Sequence, residues 1–241
     1  MQKFYQRKKN SSGEIQTYWI SISDLMAGLL IIFVLFFVLK LNTEVKLRRV
    51  FEEMYKIKET AVIDLKKEFK YNNKIAVLDD GTVRFYLDDS DNQLFNVGSS
   101  KLKKGGKKEV RDFIIRYLGI LFSEKYIEYV DKIVVQGHTD SKGTKHNTEL
   151  QNYLYNLRLS QARAYSVVEY IHQRVNVSKD KKLNERYKNI LRKKLSASGR
   201  SYIDVLKDKE GQELAGLSRR VEFKFHLPME KKYLEFREQH R

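Results

Sequence analysis

The chain has 241 residues, and 47 Lys and Arg against 31 Asp and Glu leave a net charge of +16. Hydrophobic residues at 41% and aromatics at 12% are too many for a disordered chain, and a single Pro excludes a Pro-rich protein. The absence of Cys excludes disulfide scaffolds, thiolate metal clusters and Cys nucleophiles. The charge asks for an anionic partner (nucleic acid, lipid headgroup or acidic polymer), and composition alone does not choose among them.

A basic tail, residues 1–17, precedes an apolar run at 18–40 whose core, Tyr18 to Leu39, carries one charge, Asp24. As a helix this core is about 33 Å long, enough for a hydrocarbon layer of about 30 Å. It is too long for the apolar part of a signal peptide and no small-residue cleavage site comes after it. A buried core helix would carry polar residues at helical spacing, and Leu25 to Leu39 has none. The pattern predicts one transmembrane helix. Its orientation is open, because Lys3, Arg7, Lys8 and Lys9 before it balance Lys40, Lys46, Arg48 and Arg49 after it. An intramembrane carboxylate is costly unless it faces protein or water, and desolvation favours its protonated form. Asp24 is therefore a candidate proton carrier, or else an acid that snorkels to the nearby interface; Ser21 and Ser23 make the same end polar. One helix has no interior, so an ion path through Asp24 needs a membrane partner or further copies of the chain.

Residues 41–70 contain no Gly or Pro and read as helix, with Leu47, Val50, Phe51 and Met54 on one stripe. That stripe can dimerise, lie on a membrane or pack on the domain C-terminal to it. From 71 to 228 the pattern is that of a folded domain. Lys74–Leu78 and Thr82–Leu87 flank Asp79-Asp80-Gly81 as a hairpin. Gly105 and Gly106 precede a helix to about Leu121, Asp131–Gln136 is a buried strand ending at Gly137, and Leu157 to about Val175 is a second amphipathic helix. Lys194–Ala197 and Arg220–Leu227 supply further strands. Strands alternating with helices give an α+β class, with helices packed on one mixed sheet. Residues 229–241 form a C-terminal helical tail.

Within the domain, two groups of residues are candidates for chemistry. Asp140 sits just past a buried strand and Arg163 in the first turns of the next helix, so both reach one end of the sheet. A guanidinium grips a carboxylate with a charge-assisted fork, and a carboxylate accepts from an ammonium. The two side chains thus suit a ligand bearing both groups, or they pair with each other. His138 beside Asp140 suggests a metal pair, but His146, His172, His226 and His240 form no ligand spacing with it, so no metal is expected and His138 reads as structural. No nucleophile elbow, Walker loop or zincin pattern occurs, so neither an enzyme nor a cofactor is expected.

Motifs in order add a resemblance. Trp19-Ile20-Ser21-Ile22-Ser23-Asp24-Leu25-Met26 resembles the span of the B subunits of rotary ion-driven stators, the MotB type, and in its Trp-to-Asp spacing most closely the ZorB subunits of Zorya anti-phage systems. Gln136-Gly137-His138-Thr139-Asp140 and Asn156-Leu157-Arg158-Leu159-Ser160-Gln161-Ala162-Arg163-Ala164 resemble the peptidoglycan-binding domain of the OmpA family. Leu94 to Leu102 is similar to that family's entrance segment, and Ser218-Arg219-Arg220-Val221-Glu222 to its closing strand, with Ser218 where Asn is usual. The family's Gly-x-Gly before a Pro is replaced by Gly199-Arg200-Ser201-Tyr202, which puts a pocket wall in question, and the stretch Lys142–Tyr155 is longer than usual.

The resemblance implies that Asp24 carries protons, that 41–70 is a stalk, and that Asp140 and Arg163, with Asn156 as a weaker third, bind the diaminopimelate of peptidoglycan. It implies a multi-span A-type subunit of the MotA or ZorA kind as partner, and a homodimer within that hetero-oligomer. The implied location is a single pass in the bacterial inner membrane, N-terminus cytoplasmic and C-terminal domain periplasmic. A flagellar stator subunit and a passive OmpA-type anchor are the alternatives. A direct nucleic-acid binder ranks last, because the basic residues match no recognition motif.

Overall fold

The computed structural model describes residues 2–86, 94–96, 98–143, 147–174 and 181–239. Leu87, Val97, His146, Val175, His240 and Arg241, which figure in the sequence expectations, lie outside the described residues. The elements are α1 (Gln2–Phe69), β1 (Ile75–Val77), β2 (Val83–Tyr86), α2 (Lys104–Leu121), β3 (Lys132–Gly137), α3 (Glu149–Arg174), α4 (Lys181–Lys194), β4 (Leu195–Gly199), α5 (Ala215–Ser218), β5 (Arg220–His226) and α6 (Met229–Gln239). Glu53–Lys231 form one compact unit; the residues before Glu53 form a second together with those from Lys232 on.

In the second unit, α1 carries the apolar run from Tyr18 to Leu39 with its side chains uncovered. Among the described residues it is the one helix long and apolar enough to cross a membrane. Further along, Phe51 stacks on Tyr233 of α6 with ring centroids 6.5 Å apart.

The larger unit takes the last turns of α1 as part of its core. The stripe begun by Leu47 continues at helical spacing through Met54, Ala61, Val62, Leu65 and Phe69, and these last five are buried. Past Phe69 the chain turns into the β1–β2 hairpin, whose tip is an Asx turn: Asp80 Oδ1 accepts from Thr82 N at 2.8 Å and Oδ2 from Thr82 Oγ1 at 2.9 Å. Gly81 there has φ +85° and lies against the Phe225 ring, so a side chain would be both strained and crowded.

The sheet runs β1-β2-β5-β3-β4, antiparallel except for the parallel β3–β4 pair. Alternation puts Val83, Phe85, Ile133, Val135, Val221, Phe223 and Phe225 on its covered face. Onto them pack Val110, Phe113, Ile114 and Tyr117 of α2 and Ala164, Val167 and Ile171 of α3. Phe113 centres this core, 4.7 Å from Phe223 and 5.3 Å from Phe69 between ring centroids. α3 crosses close over the sheet: a Cβ on Gly137 would lie 2.1 Å from Ser160 O, and one on Gly199 2.6 Å from Gln161 N.

Two boundaries differ from expectation, and there is a helix that the sequence reading lacks. α2 begins at Lys104, so Gly105 and Gly106 are in its first turn; a Cβ on Gly106 would meet Leu94 Cα at 2.8 Å. α3 begins at Glu149 rather than Leu157, started by a capping box in which Thr148 N donates to Gln151 Oε1 at 2.8 Å and Gln151 N to Thr148 Oγ1 at 3.3 Å. α4 is an additional helix, seated through Leu191 and Asn184.

Candidate functional site

Asp24 lies in the first turns of the apolar run, exposed on its helix with Ser21 one turn before it and Ala27 and Gly28 one turn after. These small neighbours leave room for another helix to approach the carboxylate closely, and among the described residues nothing outside this stretch of helix comes within 4 Å of where a Gly28 Cβ would be.

The second constellation is at the C-terminal end of β3, where four consecutive residues leave the sheet. His138 N donates to Arg220 O and Thr139 N to Ser201 O, both at 2.9 Å. Asp140 Oδ2 accepts from Arg219 Nη1 at 2.7 Å, a half-buried ion pair. Ser141 is bound through both its amide and its hydroxyl to the Glu213 carboxylate.

Arg163 reaches this end from α3 and is 4% exposed. Its Nε donates to Ser99 O at 3.0 Å and Nη2 to Asn96 O at 3.4 Å, and the guanidinium lies 5.4 Å from the centre of the Phe95 ring. The entrance segment 94–102 therefore serves as its cradle. Burial pushes this guanidinium down from its ordinary value while the Asp140 charge pulls it back up. The Asp140 and Arg163 charges thus share one site, but the ion pair that Asp140 makes is with Arg219. Sequence reasoning missed Arg219, although it stands in the Ser218–Glu222 motif; its role shows only when β5 is laid beside β3.

Asn156 is also here and buried, but its Nδ2 donates to Asn152 O at 3.1 Å within its own helix. Thr139 Oγ1 is buried without a hydrogen-bond partner among the described residues. Two cations, one carboxylate and an unpaired hydroxyl at a strand end suit a zwitterion: an ammonium for Asp140, a carboxylate for the arginines.

The two departures from the motif are each held by hydrogen bonds. Ser201 holds the backbone at φ +52°, the left-handed region where Gly is usual. It is fully buried and tied in place by Ser201 N to Ser160 Oγ and Ser201 Oγ to Tyr153 O, both at 3.0 Å. Ser218, standing for Asn, accepts Leu206 N on its Oγ at 2.9 Å. Among the described residues no three His, Asp or Glu gather as metal ligands. His138 is buried, its Nε2 3.4 Å from Glu222 Oε2, and burial pushes its ring below the ordinary value.

Comparison with known proteins bears on both constellations. The OmpA family model matches residues 94–213, which hold Asp140, Arg163 and Glu213. A Zorya protein ZorB of Escherichia coli strain Crooks is 31% identical over 231 residues, covering 90% of this chain and 89% of that one. The chain belongs to the ZorB family. A second ZorB, of Escherichia coli O139:H28, is 25% identical over 92% of this chain and 85% of its own. Similar solved structures include a MotB-like protein from Desulfovibrio vulgaris (20% identity, TM-score 0.49, 73% of this chain and 94% of that one). Another is the cell wall anchor of the T6SS from Pseudomonas aeruginosa (20% identity, TM-score 0.42, 70% and 99%). It is a MotB-type, ZorB-like chain with an OmpA-like domain, and the families it resembles are made of structural or stator components.

Proposed function

We propose that this chain is the peptidoglycan-anchored B subunit of a proton-driven membrane motor serving Zorya anti-phage defence. Asp24 takes up and releases a proton at the interface with a multi-span A-type subunit. Asp140, Arg163 and Arg219 hold the cell wall by a diaminopimelate residue, whose ammonium and carboxylate share one carbon. Thr139 and Asn156 line that pocket. The chain acts as a dimer that crosses the inner membrane once, N-terminus cytoplasmic, with the wall-binding domain outside. A tethered B subunit gives the torque of the A subunits something to react against.

The observation that carries this reading is the joining, in one ZorB-family chain, of an acid-bearing apolar helix to an OmpA-like domain with that charge constellation. Within the domain, α1 first meets the sheet near the start of β3: Val62 lies at the Gly81 turn beside Phe225, which pairs with Ile133. The pocket is at the other end of β3. A passive anchor would account for the pocket and leave Asp24 without a task.

Asp24→Asn keeps the side chain's shape and removes its proton. It should leave membrane insertion and binding to purified sacculi unchanged and abolish protection of cells against phage; full protection would remove Asp24 from the mechanism. Asp140→Ala with Arg163→Ala should lose binding to sacculi in about 0.3 M salt, where non-specific charge adsorption is screened. Unchanged pull-down would exclude the pocket.

A further inference from the structure

We infer that Glu213 is the positioning residue for Asp140, acting through Ser141. The inference rests on reading Asp140 as the acceptor for a ligand ammonium. Each of the four residues leaving β3 is fastened to a different residue of the β4–β5 connection or β5 itself: His138 to Arg220, Thr139 to Ser201, Asp140 to Arg219 and Ser141 to Glu213. The first two fastenings use only backbone, and the third uses the recognition carboxylate itself. The Glu213–Ser141 contact is the outermost and fixes the far side of Asp140. Ser141 is exposed, as are Lys142 and Gly143 beyond it.

The contact is built for rigidity. Both carboxylate oxygens of Glu213 are engaged, Oε1 by Ser141 N at 3.0 Å and Oε2 by Ser141 Oγ. Glu213 itself stands on a small hairpin closed by Leu214 N to Leu206 O at 2.7 Å and by the Lys207–Glu213 bridge. At its tip Asp208 Oδ1 accepts from Glu210 N and Gln212 N, and Gly211 takes φ +82°. The base is locked by Ser218 on Leu206. Such a support does not touch the ligand; it removes the motion that Asp140 would otherwise lose on binding. Arg219 occupies Oδ2 of Asp140, so recognition of an ammonium depends on where Oδ1 is held.

The test titrates the full chain in detergent with a stem tetrapeptide containing diaminopimelate, and with the same peptide whose diaminopimelate amine is acetylated. The unaltered chain should prefer the free amine. Glu213→Ala should shrink that preference about tenfold, the scale of one hydrogen bond to a charged group. Glu213→Gln, which keeps an acceptor for Ser141 N, should restore most of it. Equal weakening of both peptides by Glu213→Ala would make the residue merely structural and overturn the inference, as would an unchanged preference. No binding of either peptide by the unaltered chain would remove the pocket reading as well.

Discussion

Glu222 is 3% exposed yet carries a charge that four neighbours share: Arg220 Nε at 2.7 Å, Arg84 Nε at 2.9 Å, Lys224 Nζ at 3.1 Å and His138 Nε2 at 3.4 Å. Burial alone would push its carboxyl up, but hydrogen bonding from the His138 ring and the charge of the Arg220 guanidinium outweigh it and hold the carboxyl well below the ordinary 4.5. The stability this contributes is present above about pH 4.5 and lost as the pH falls further. His138 adds an earlier window of the same sign. Its depressed ring stays neutral in the fold while the unfolded chain protonates below the ordinary 6.5, so stability falls as the pH drops through that range. Melting temperature should therefore decline in two stages from pH 8 to 2; His138→Gln should lessen the first, which the likewise depressed His172 and His226 rings share, and keep most of the second. A single stage unchanged by His138→Gln would dismiss this account. His138 reads as structural because it lacks metal-ligand spacing; Lys224 lies two residues from Glu222 along β5, whereas Arg84 becomes its neighbour only through strand pairing.

Among elements, α1 shows what sequence pattern could and could not decide. Its helical stripe was visible, but dimerising, membrane-lying and packing faces share one periodicity. The structure buries the end of the stripe, Ala61 to Phe69, in the domain core, so this part of the stalk is also domain. Leu65 is fully buried there. Leu65→Ala should cost the domain about 2–5 kcal/mol in chemical denaturation, the range for deleting a core leucine. A change near zero would mean that the last turns of α1 dock only loosely. The strands and α2 were found within a few residues because alternation and the 3.6-residue period were unambiguous. The early start of α3 is written in the sequence as the Thr148-Glu149-Leu150-Gln151 capping signature, upstream of the Asn156–Ala164 motif. α4 lies outside the sequence expectations although Leu183, Tyr187, Ile190 and Leu191 recur at i, i+4, i+7 and i+8; the stripe is legible, but no family motif falls on it.

For the whole molecule, the excess of positive charge and the pocket answer different questions about the wall. α4 exposes Lys181, Lys182, Arg186, Arg192 and Lys193 to solvent, and the +16 balance of the chain extends well beyond the few charges in the Asp140 site. Peptidoglycan stem peptides are acidic, so a cationic surface gathers the polymer without choosing a residue in it, and salt weakens that attraction. On the proposed reading the pocket does the choosing but contributes little long-range pull, because its carboxylate offsets one of its two guanidinia. Sacculus binding should therefore fall in two parts as salt rises. Replacing Lys181, Lys182, Arg186 and Lys193 by Gln should weaken binding at about 0.05 M salt and leave it nearly unchanged at about 0.3 M, where the Debye length is under about 10 Å. Asp140→Ala with Arg163→Ala should do the reverse, retaining adsorption at low salt and losing it at high salt, together with displacement by free tetrapeptide. If both sets of variants lost binding in parallel across the salt range, charge and pocket would be one site rather than two, and the division between gathering the wall and choosing its diaminopimelate would fall.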